Sequence, residues 1–284
     1  MLLFKEVDAL KIYLEKRRRE GLLIGYVPTM GALHQGHASL VEQSASENAL
    51  TVCSIFVNPT QFNDPKDLAK YPRTEAADIK MLVALGVDVL FYPSVEAIYP
   101  KDLEIPVFDF GQMDKVMEGY FRPGHFDGVV EVVYRLLDIV QPNHLYMGQK
   151  DFQQFTLIQH MLQQAEMETS LVVCPIIREA DGLALSSRNV RLTPENRANA
   201  PMISKTLQQL NAWLDSGLSI SEVIQKAVVV LNESPEFKVE YLEIVDGRSL
   251  QPIVSLDDTN YAVACVAVWV GNIRLIDNVI LKQE

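Results

Sequence analysis

Two histidines stand three positions apart in His34-Gln35-Gly36-His37. The apolar residues 22–27 before them predict a buried parallel strand, and residues 37–47 after them predict a helix. Open parallel sheets bind ligands at such strand-to-helix turns, where the helix start offers free N–H groups and a positive partial charge. Imidazoles add hydrogen-bond donors that can be neutral or cationic near neutral pH. We therefore predict a phosphate site at this turn rather than a pair of structural histidines.

Further polar side chains follow later predicted strands or lie beyond the last of them: Asn58, Gln61, Lys150, Asp151, Gln154, Ser186, Ser187 and Arg188. Lysine and arginine together with serine hydroxyls are typical of polyphosphate sites. A lysine at a helix start opposes the helix dipole, which favours a functional Lys150, whereas Asp151 is the expected N-cap. An ordinary Asx/proline turn explains Asn58 equally well, and residues 186–188 could be a plain loop.

Several other kinds of site are excluded by the motifs that the sequence lacks. It contains no G-x-G-x-x-G fingerprint, no P-loop and no G-x-S-x-G elbow, and no cysteine lies near the polar segments. Without an activated nucleophile, the expected chemistry is the positioning of two bound substrates and the stabilisation of charge. Phosphoryl and nucleotidyl transfer work in this way.

The elements that would position these residues alternate between strand and helix as far as residue 177. This alternation predicts an α/β fold with a Rossmann-like, doubly wound parallel sheet and right-handed crossovers. Residues 64–73 are expected to form a polar loop. Residues 93–124 are expected to form a long irregular segment, of the kind that is often functional.

The pattern changes after residue 177. A polar stretch leads to a helix expected from Thr193, its N-cap, to Leu214, and a second helix is expected at residues 221–232. Strand patterns follow at residues 239–245 and 261–270. We therefore predict a first domain at residues 1–176 and a smaller C-terminal α+β domain at residues 177–284.

The composition and the charge exclude further classes of protein. The chain has 284 residues, of which 48% are hydrophobic, enough for one large or two medium cores. A formal net charge of −12 argues against a nucleic-acid binder, and the apolar runs are too short to span a membrane. The cysteines Cys53, Cys174 and Cys265 show neither metal spacing nor pairing, so we expect buried free thiols in a reducing cytoplasm.

Several blocks of the sequence, in their order, resemble the pantothenate synthetase family, the pantoate–β-alanine ligases of the HxGH nucleotidylyltransferase superfamily. The blocks are PTMGALHxGH at residues 28–37, FVNPTQF at 56–62, YPRT at 71–74, RPGHFDGV at 122–129, GQKDFQQ at 148–154, DGLALSSRN at 181–189 and RLIDN at 274–278. They extend over essentially the whole chain. Chance agreement of so many separate blocks in one order is very improbable.

The resemblance implies a two-step ligation in a cytoplasmic homodimer. The carboxylate of (R)-pantoate would attack ATP, with Mg²⁺, to give pantoyl-adenylate and pyrophosphate. The amine of β-alanine would then release AMP and form pantothenate. The intermediate must be shielded from water, and residues 93–124 and the C-terminal domain would close over the site.

The resemblance also implies roles for single residues. His34, His37 and Lys150 would stabilise charge on the transferring phosphate, and Ser186, Ser187 and Arg188 would hold the β- and γ-phosphates. Pantoate would contact Gln61, Gln154 and the Met30 backbone, and β-alanine would contact Gln61 and Asn58. The whole implied ATP site comprises Met30, Gly31, Ala32, Leu33, His34, Gln35, Gly36, His37, Gly148, Gln149, Lys150, Asp151, Ile177, Leu185, Ser186, Ser187 and Arg188.

One position departs from the family pattern. Gln149 stands where the family commonly has glutamate. The change is harmless if this position acts through its backbone, which we favour because the turn precedes a helix start. Mg²⁺ is expected mainly on the ATP oxygens, with Asp78 as a weak candidate for an outer contact.

Three rival hypotheses remain open on the sequence. Another HxGH nucleotidylyltransferase would need more cations for a second phosphorylated substrate, whereas Gln61 and Gln154 suit an uncharged polyol acid. An aminoacyl-tRNA synthetase would need a basic anticodon-binding extension. A catalytically inactive binding protein would be expected to have lost a histidine, Lys150 or Arg188, and all are present.

Overall fold

The computed structural model describes residues 1–62 and 65–284, without the side chains of residues 65–67. By backbone packing the chain divides into two compact units. The first contains Met1–Phe110, Arg122–Gly148 and Leu157–Pro175, and the second contains Gly111–Phe121, Gln149–Thr156 and Ile176–Glu284. The division expected from the sequence, residues 1–176 and 177–284, stays a prediction.

The first unit is built on a parallel sheet, as predicted. Its strands in the described part of the chain are β1 Leu2–Phe4, β2 Ile24–Thr29, β3 Leu50–Ile55, β4 Val89–Phe91, β5 His144–Gly148 and β6 Ser170–Cys174. They lie in the order β1-β4-β3-β2-β5-β6, and every pair is parallel. The sequence did not reveal β1, because three residues are too few to show a period.

The helices largely follow the apolar periodicity. They are α1 Val7–Arg19, α2 Gln35–Glu47, α3 Pro65–Lys70, α4 Glu75–Ala84, α5 Val95–Ile98, α6 Met117–Phe121, α7 His125–Val140, α8 Phe152–Gln164, α9 Pro194–Asn199, α10 Met202–Asp215 and α11 Ile220–Leu231. Short 3₁₀ turns occur at Pro59–Gln61, Asn189–Arg191 and Leu256–Asp258. Among the described residues, none of the helices is long and apolar enough to cross a bilayer.

The strand order opens a crevice between β2 and β5. β2 pairs with β3 along all six of its residues, but with β5 only through Gly25 and Tyr26. The two strands therefore part towards their C-terminal ends, at the place where the strand order changes direction. Open α/β sheets bind ligands at this kind of reversal.

The centre of this sheet is buried on both faces. All six residues of β3 are buried, and Leu40 and Val41 of α2 pack with Val27 and Cys53 in one apolar cluster. Each fully buried aliphatic side chain stabilises the fold by about 1.5–3 kcal/mol relative to an exposed one. The strands that lead to the candidate site are therefore held rigidly from both sides.

The second unit contains an antiparallel sheet, which agrees with the predicted α+β class. Its strands β7 Phe237–Asp246, β8 Tyr261–Val270 and β9 Ile273–Gln283 lie in that order. Their apolar face packs with α10 and α11. The buried centre includes Leu207, Leu210, Val223, Leu231, Ile244, Val266 and Val268.

Three predictions about local structure were wrong. The helix expected from residue 193 to residue 214 is two helices, because Pro201 has no N–H and separates α9 from α10. The segment 93–124 is not wholly irregular, since it contains α5 and α6. Most of the expected polar loop at residues 64–73 is α3, while residue 64 lies outside the described residues.

The three cysteines are free thiols in buried positions, as predicted. Burial raises the pKa of Cys53 to about 12 and that of Cys174 to about 11. Burial also raises the pKa of Cys265. Because the thiolate is the reactive form, all three side chains are chemically inert in the folded protein.

We therefore expect the native protein to react very slowly with a disulfide reagent such as DTNB at mildly alkaline pH. In denaturing guanidinium chloride, all three thiols should react at once. Absorbance at the thionitrobenzoate band measures both states. Rapid release from the native protein would contradict the burial of these side chains.

Candidate active site

The turn after β2 has a left-handed backbone. Gly31 and Ala32 have φ values of 79° and 51°. Glycine adopts such values freely, whereas an L-residue loses about 1–2 kcal/mol there. The Thr29 hydroxyl supports the turn, since its oxygen accepts from the Gly31 N–H at 3.2 Å while it donates to the Ser54 carbonyl at 2.7 Å.

Asp78 of α4 fastens this turn. Its carboxylate is 3% exposed and accepts from the Ala32 N–H at 3.0 Å and from the Leu33 N–H at 2.8 Å. Thr74 precedes α4 but makes no side-chain cap, because its hydroxyl donates to Asp78 at 3.1 Å. A cavity of about 210 Å³ adjoins Met30, Gly31 and Asp78. The hydrogen bonds to Asp78 therefore hold the turn beside this cavity.

The two predicted histidines cap α2 reciprocally. The Gly36 N–H donates to Nδ1 of His34 at 3.1 Å, and the His34 N–H donates to Nδ1 of His37 at 3.3 Å. The helix begins at Gln35, two residues earlier than predicted, because His34 itself is the N-cap. The imidazoles thus take the places that serine and glutamate occupy in an ordinary capping box.

This cap determines the tautomer of both rings. An Nδ1 atom that accepts a backbone N–H carries no proton, so a neutral ring carries its proton on Nε2. The ring centroids of His34 and His37 are 4.2 Å apart. In α2, which is described throughout, no acidic side chain occupies the first turn. The site therefore combines two imidazole N–H donors with the positive end of a helix, which suits a phosphate oxygen.

Gln61 lies on the 3₁₀ turn after β3, between two of the other predicted residues. Its Nε2 donates to Sδ of Met30 at 3.1 Å, and its Oε1 accepts from Nδ2 of Asn58 at 3.3 Å. Asn58 is 1% exposed; it also donates to the Gly128 carbonyl at 3.0 Å and accepts from the Thr60 N–H at 3.3 Å. The contacts of Asn58 thus orient Gln61, and its contact with β-alanine stays a prediction.

Helix α7 supports the Gln61 turn by unusually close packing. A Cβ on Gly128 would lie 2.6 Å from the carbonyl carbon of Thr60 and 2.7 Å from the Gln61 nitrogen. His125, which is 6% exposed, places its Nδ1 2.9 Å from the Gln61 carbonyl oxygen. Only glycine allows this approach of helix and turn.

The second unit holds the predicted lysine. Lys150 is half-buried, and the exposed Asp151 directly precedes α8. Nδ2 of Asn278 donates at 3.0 Å to the carbonyl oxygens of both Gln149 and Lys150. Nε2 of Gln149 donates to Oδ1 of Asn278 at 3.1 Å. The turn that presents Lys150 is therefore tied to β9 through its backbone.

The predicted polyphosphate loop also lies in the second unit, and charged groups stabilise its base. Arg197 donates at 2.6 Å to Glu179 and at 2.6 Å to Asp181. The hydrogen bond from Arg197 lowers the pKa of Asp181. Nδ2 of Asn189 donates to Glu179 at 3.0 Å and to the Ala184 carbonyl at 3.1 Å. Residues 186–188 are half-buried and follow directly from this base.

No group of three or more His, Cys, Asp or Glu side chains in the described residues could hold a metal ion. Asp78, the weak candidate for an outer metal contact, already accepts from two backbone N–H groups and one hydroxyl. Its metal contact stays a prediction, and its observed role is to hold the turn.

Four supporting residues were missed by the sequence argument: His125, Gly128, Asp277 and Asn278. They lie in the RPGHFDGV and RLIDN blocks, to which no role had been given. A spacing pattern within the blocks could not have revealed their contacts, since each one reaches a segment far away in the chain. Asp78 was noted, but as a metal contact rather than as a support.

Asp78→Asn should destabilise the protein by about 1–3 kcal/mol, because an amide nitrogen would then face a backbone N–H of the turn. The free energy of unfolding in urea, with EDTA present, measures this loss. Glu75→Gln is the matched control: it removes the same charge from an exposed site in the same helix and should change stability by about 0.5 kcal/mol or less. If Asp78 served only a metal ion, the Asn variant would be as stable as the control without metal.

Gly128→Ala should destabilise the protein by about 1–3 kcal/mol, because the added methyl group would meet the backbone of residues 60 and 61. Helix propensity alone predicts the opposite sign, a gain of about 0.5–1 kcal/mol from alanine. Urea unfolding therefore separates the two effects. A more stable variant would show that the helix and the turn do not pack as described.

Comparisons with known proteins give consistent results. The sequence profile of the family Pantoate-beta-alanine ligase matches residues 2–280. The pantothenate synthetase of Bacteroides thetaiotaomicron is 48% identical over 283 residues, which cover 100% of both chains. That of Porphyromonas gingivalis is 48% identical over 279 residues, which cover 98% of this chain and 99% of the other.

Solved structures agree with these relatives. The crystal structure of pantothenate synthetase from Thermus thermophilus superposes with a TM-score of 0.92 at 39% identity, covering 99% of this chain and 100% of the other. The pantoate–β-alanine ligase of Francisella tularensis, complexed with β-γ ATP and β-alanine, has a TM-score of 0.82 at 37% identity and covers 99% and 98%. The chain is therefore an enzyme that belongs to the pantoate–β-alanine ligase family, the pantothenate synthetases.

Proposed function

We propose that this chain condenses (R)-pantoate with β-alanine through a pantoyl-adenylate, with ATP as the source of the AMP and pyrophosphate released. The observation that carries the proposal is the reciprocal cap of His34 and His37, which orients two imidazole N–H donors at the start of α2. Such donors stabilise charge that develops on a phosphate oxygen.

In the first step, a carboxylate oxygen of pantoate forms a bond to the α-phosphorus, and the bond from that phosphorus to the bridging oxygen of pyrophosphate breaks. Nε2 of His34 and Nε2 of His37 donate to the α-phosphate oxygens as negative charge builds on them. Lys150 adds a positive charge, and Ser186, Ser187 and Arg188 bind the β- and γ-phosphates of the leaving pyrophosphate. Because these donors are held by the fold, little reorganisation accompanies the reaction.

In the second step, the neutral amine of β-alanine attacks the acyl carbon of the adenylate. The bond from carbon to the phosphate oxygen breaks, AMP leaves, and the amine loses a proton. We propose that Gln61, Gln154 and the Met30 backbone bind pantoate, and that Gln61 and Asn58 lie on the path of β-alanine. The relative from Francisella tularensis, solved in complex with β-γ ATP and β-alanine, supports the choice of ATP and β-alanine as substrates.

The remaining contacts of ATP follow from the same proposal. The loop 30–37 would bind the nucleotide through backbone N–H groups and the two histidines. Gly148 and Asp151 would contact the ribose, and Gln149 would contact the nucleotide through its backbone. Ile177 and Leu185 would complete the adenosine site.

Mg²⁺ fits an ATP-using ligase, in which it neutralises phosphate charge. The fold holds no cluster of metal ligands in its described residues, so the ATP oxygens themselves would carry the ion. The residues of this chain would then bind the metal–nucleotide complex through Lys150, Ser186, Ser187 and Arg188.

We also propose that the enzyme is a homodimer in the cytoplasm. The dimer is what the resemblance to the family implies. Three cysteines that remain free thiols support a reducing compartment.

The test is to leave out each substrate in turn. With ATP, Mg²⁺, pantoate and β-alanine, the purified protein should form AMP and pantothenate in equal amounts. Without β-alanine, exchange of labelled pyrophosphate into ATP should continue and should require pantoate. Exchange that proceeds without pantoate, or the absence of AMP from the complete mixture, would contradict the proposal.

His37→Asn provides the sharpest variant for this assay. The asparagine Oδ1 can accept from the His34 N–H as Nδ1 does now, but no donor remains at the position of Nε2. Exchange should fall by about 100- to 1,000-fold, as for the loss of one oxyanion donor. The free energy of unfolding in urea should change by less than about 1 kcal/mol. Exchange at the normal rate would show that the histidine only caps the helix.

A further inference from the structure

We propose that Asp277 and Asn278, neighbours on β9, are positioning residues that hold the two phosphate-binding segments of the second unit on one strand. Asn278 holds the turn that carries Lys150, and Asp277 holds the base of the loop that carries Ser186–Arg188. The inference rests on the proposed function, which gives these two segments their roles. It gives the RLIDN block a role in the site, although this block lies far along the chain from the residues that would touch ATP.

The amide nitrogen of Asn278 donates two hydrogen bonds. The residue is 2% exposed, and its Nδ2 donates at 3.0 Å to the carbonyl oxygens of both Gln149 and Lys150. Two consecutive carbonyl groups aimed at one nitrogen determine the orientation of the peptide planes on either side of the Lys150 Cα. The starting direction of the lysine side chain is thereby set from the strand.

Gln149 completes this arrangement. Because Nδ2 of Asn278 faces two carbonyl oxygens, Oδ1 must face away from them and needs a donor of its own. Nε2 of Gln149 supplies that donor at 3.1 Å. A glutamate carboxylate at this position could not donate, so the amide of Gln149 has a structural role in this chain. Gln149 acts through both its backbone and its side chain.

Asp277 holds the second segment. It is 4% exposed and accepts from Nη1 of Arg178 at 2.6 Å and from Nη2 at 2.9 Å. Its Oδ1 also accepts from the Asn278 N–H at 2.8 Å. Bidentate pairs of this kind fix the plane of the guanidinium group. Arg178 is therefore held in one orientation.

Arg178 in turn restrains the loop that precedes residues 186–188. Its Nη1 donates to the Gly182 carbonyl at 3.2 Å, and its backbone forms an antiparallel bridge with Ala184. The Leu185 N–H then donates to the Ile177 carbonyl at 3.0 Å. These bonds close a hairpin, and residues 186–188 begin where it ends. The position of those three residues therefore depends on Asp277.

The strand is a firm base for both segments. Asp277 pairs with Val266 and Asn278 with Cys265 of β8, and both partners are buried in the sheet. A polar pair buried this deeply is costly unless every group is bonded. The described contacts use both carboxylate oxygens of Asp277 and both amide atoms of Asn278. Apolar residues could fill the same space, but they could not orient two loops.

A double-mutant cycle tests the role of Asn278. Asn278→Ala should lower the kcat of pantoate-dependent ATP–pyrophosphate exchange by about 10- to 100-fold, the loss expected when a catalytic group is misplaced by about 1 Å, while the KM for pantoate changes little. In a Lys150→Ala background the same change should lower kcat by less than about 2-fold, because residues that act through one group are not additive. Lys150→Arg is the second background if exchange by the alanine variant is too slow to measure.

Two further variants separate positioning from stability. Gln149→Met keeps the length of the side chain but removes the donor to Asn278. It should lower kcat in wild type and have little further effect in Asn278→Ala. Asn196→Ala removes a buried asparagine from the same unit, whose amide nitrogen lies beside the turn at Gly271; it should reduce the stability to urea without reducing kcat. The effects of Asp277→Asn and Arg188→Ala on kcat should likewise be non-additive.

The outcomes are distinct. Fully additive effects in both cycles, or a normal kcat for Asn278→Ala, would overturn the positioning role while leaving the ligase function intact. Wild-type protein that shows no pantoate-dependent exchange would instead refute the proposed function. Equal losses of kcat in Asn278→Ala and Asn196→Ala at equal loss of stability would show that Asn278 acts only through stability.

Discussion

The candidate site depends on a hydrogen-bond exchange between two histidines and the backbone at the start of α2. His34 and His37 accept N–H groups through Nδ1, and each ring thereby keeps a donor on Nε2. The same bonds begin α2, so the positive end of the helix dipole lies beside the two rings. Capping, tautomer and electrostatics therefore follow from one arrangement. This explains why the chain uses histidines where serine and glutamate would cap a helix equally well.

Other residues of the first unit position the turn before α2 and the side chain of Gln61. The parting of β2 and β5 makes the crevice, and Asp78 binds the left-handed turn that leads from β2 to the helix. On the other side, Asn58 and the close approach of Gly128 set the direction of Gln61. None of these supports carries out chemistry itself. Each one satisfies a buried polar group of the backbone or allows two backbones to approach.

In the second unit, the edge strand β9 holds the segments that carry the candidate site residues. Asp277 and Asn278 restrain two segments that are distant in sequence, and Arg274 of the same block binds Glu118 through two bonds of 2.8 Å. Burial alone would lower the pKa of Arg274, but the hydrogen bonds and charges of Glu118 and Glu240 raise it, so the guanidinium stays charged. A single edge strand thus connects three segments of its unit.

Much of this architecture was predictable because it depends on local pattern. The alternation of strand and helix patterns indicated the parallel sheet, and the sequence placed α11 to within a few residues. The His-x-Gly-His spacing at the end of β2 indicated a phosphate site, which stays a prediction, and the family blocks indicated the ligase family. Errors occurred at the three-residue β1, at the break before Pro201 and at the short helices of residues 93–124, and no strand was predicted at β9.

The sequence by itself therefore determined the fold class and the family, since these rest on residue type and spacing along the chain. The side chains that would meet the substrates stay a prediction. The tertiary structure alone decided how those side chains are held. The contacts of Asp78 with residues 32 and 33, and of Asn278 with residues 149 and 150, join positions 45 to 129 residues apart. No periodicity encodes such pairs, because hydrogen bonds between distant segments form only once the strands and helices have packed. The sequence predicted a phosphate site at the histidine pair, and the structure shows that the Nδ1 atoms of the same two rings cap α2.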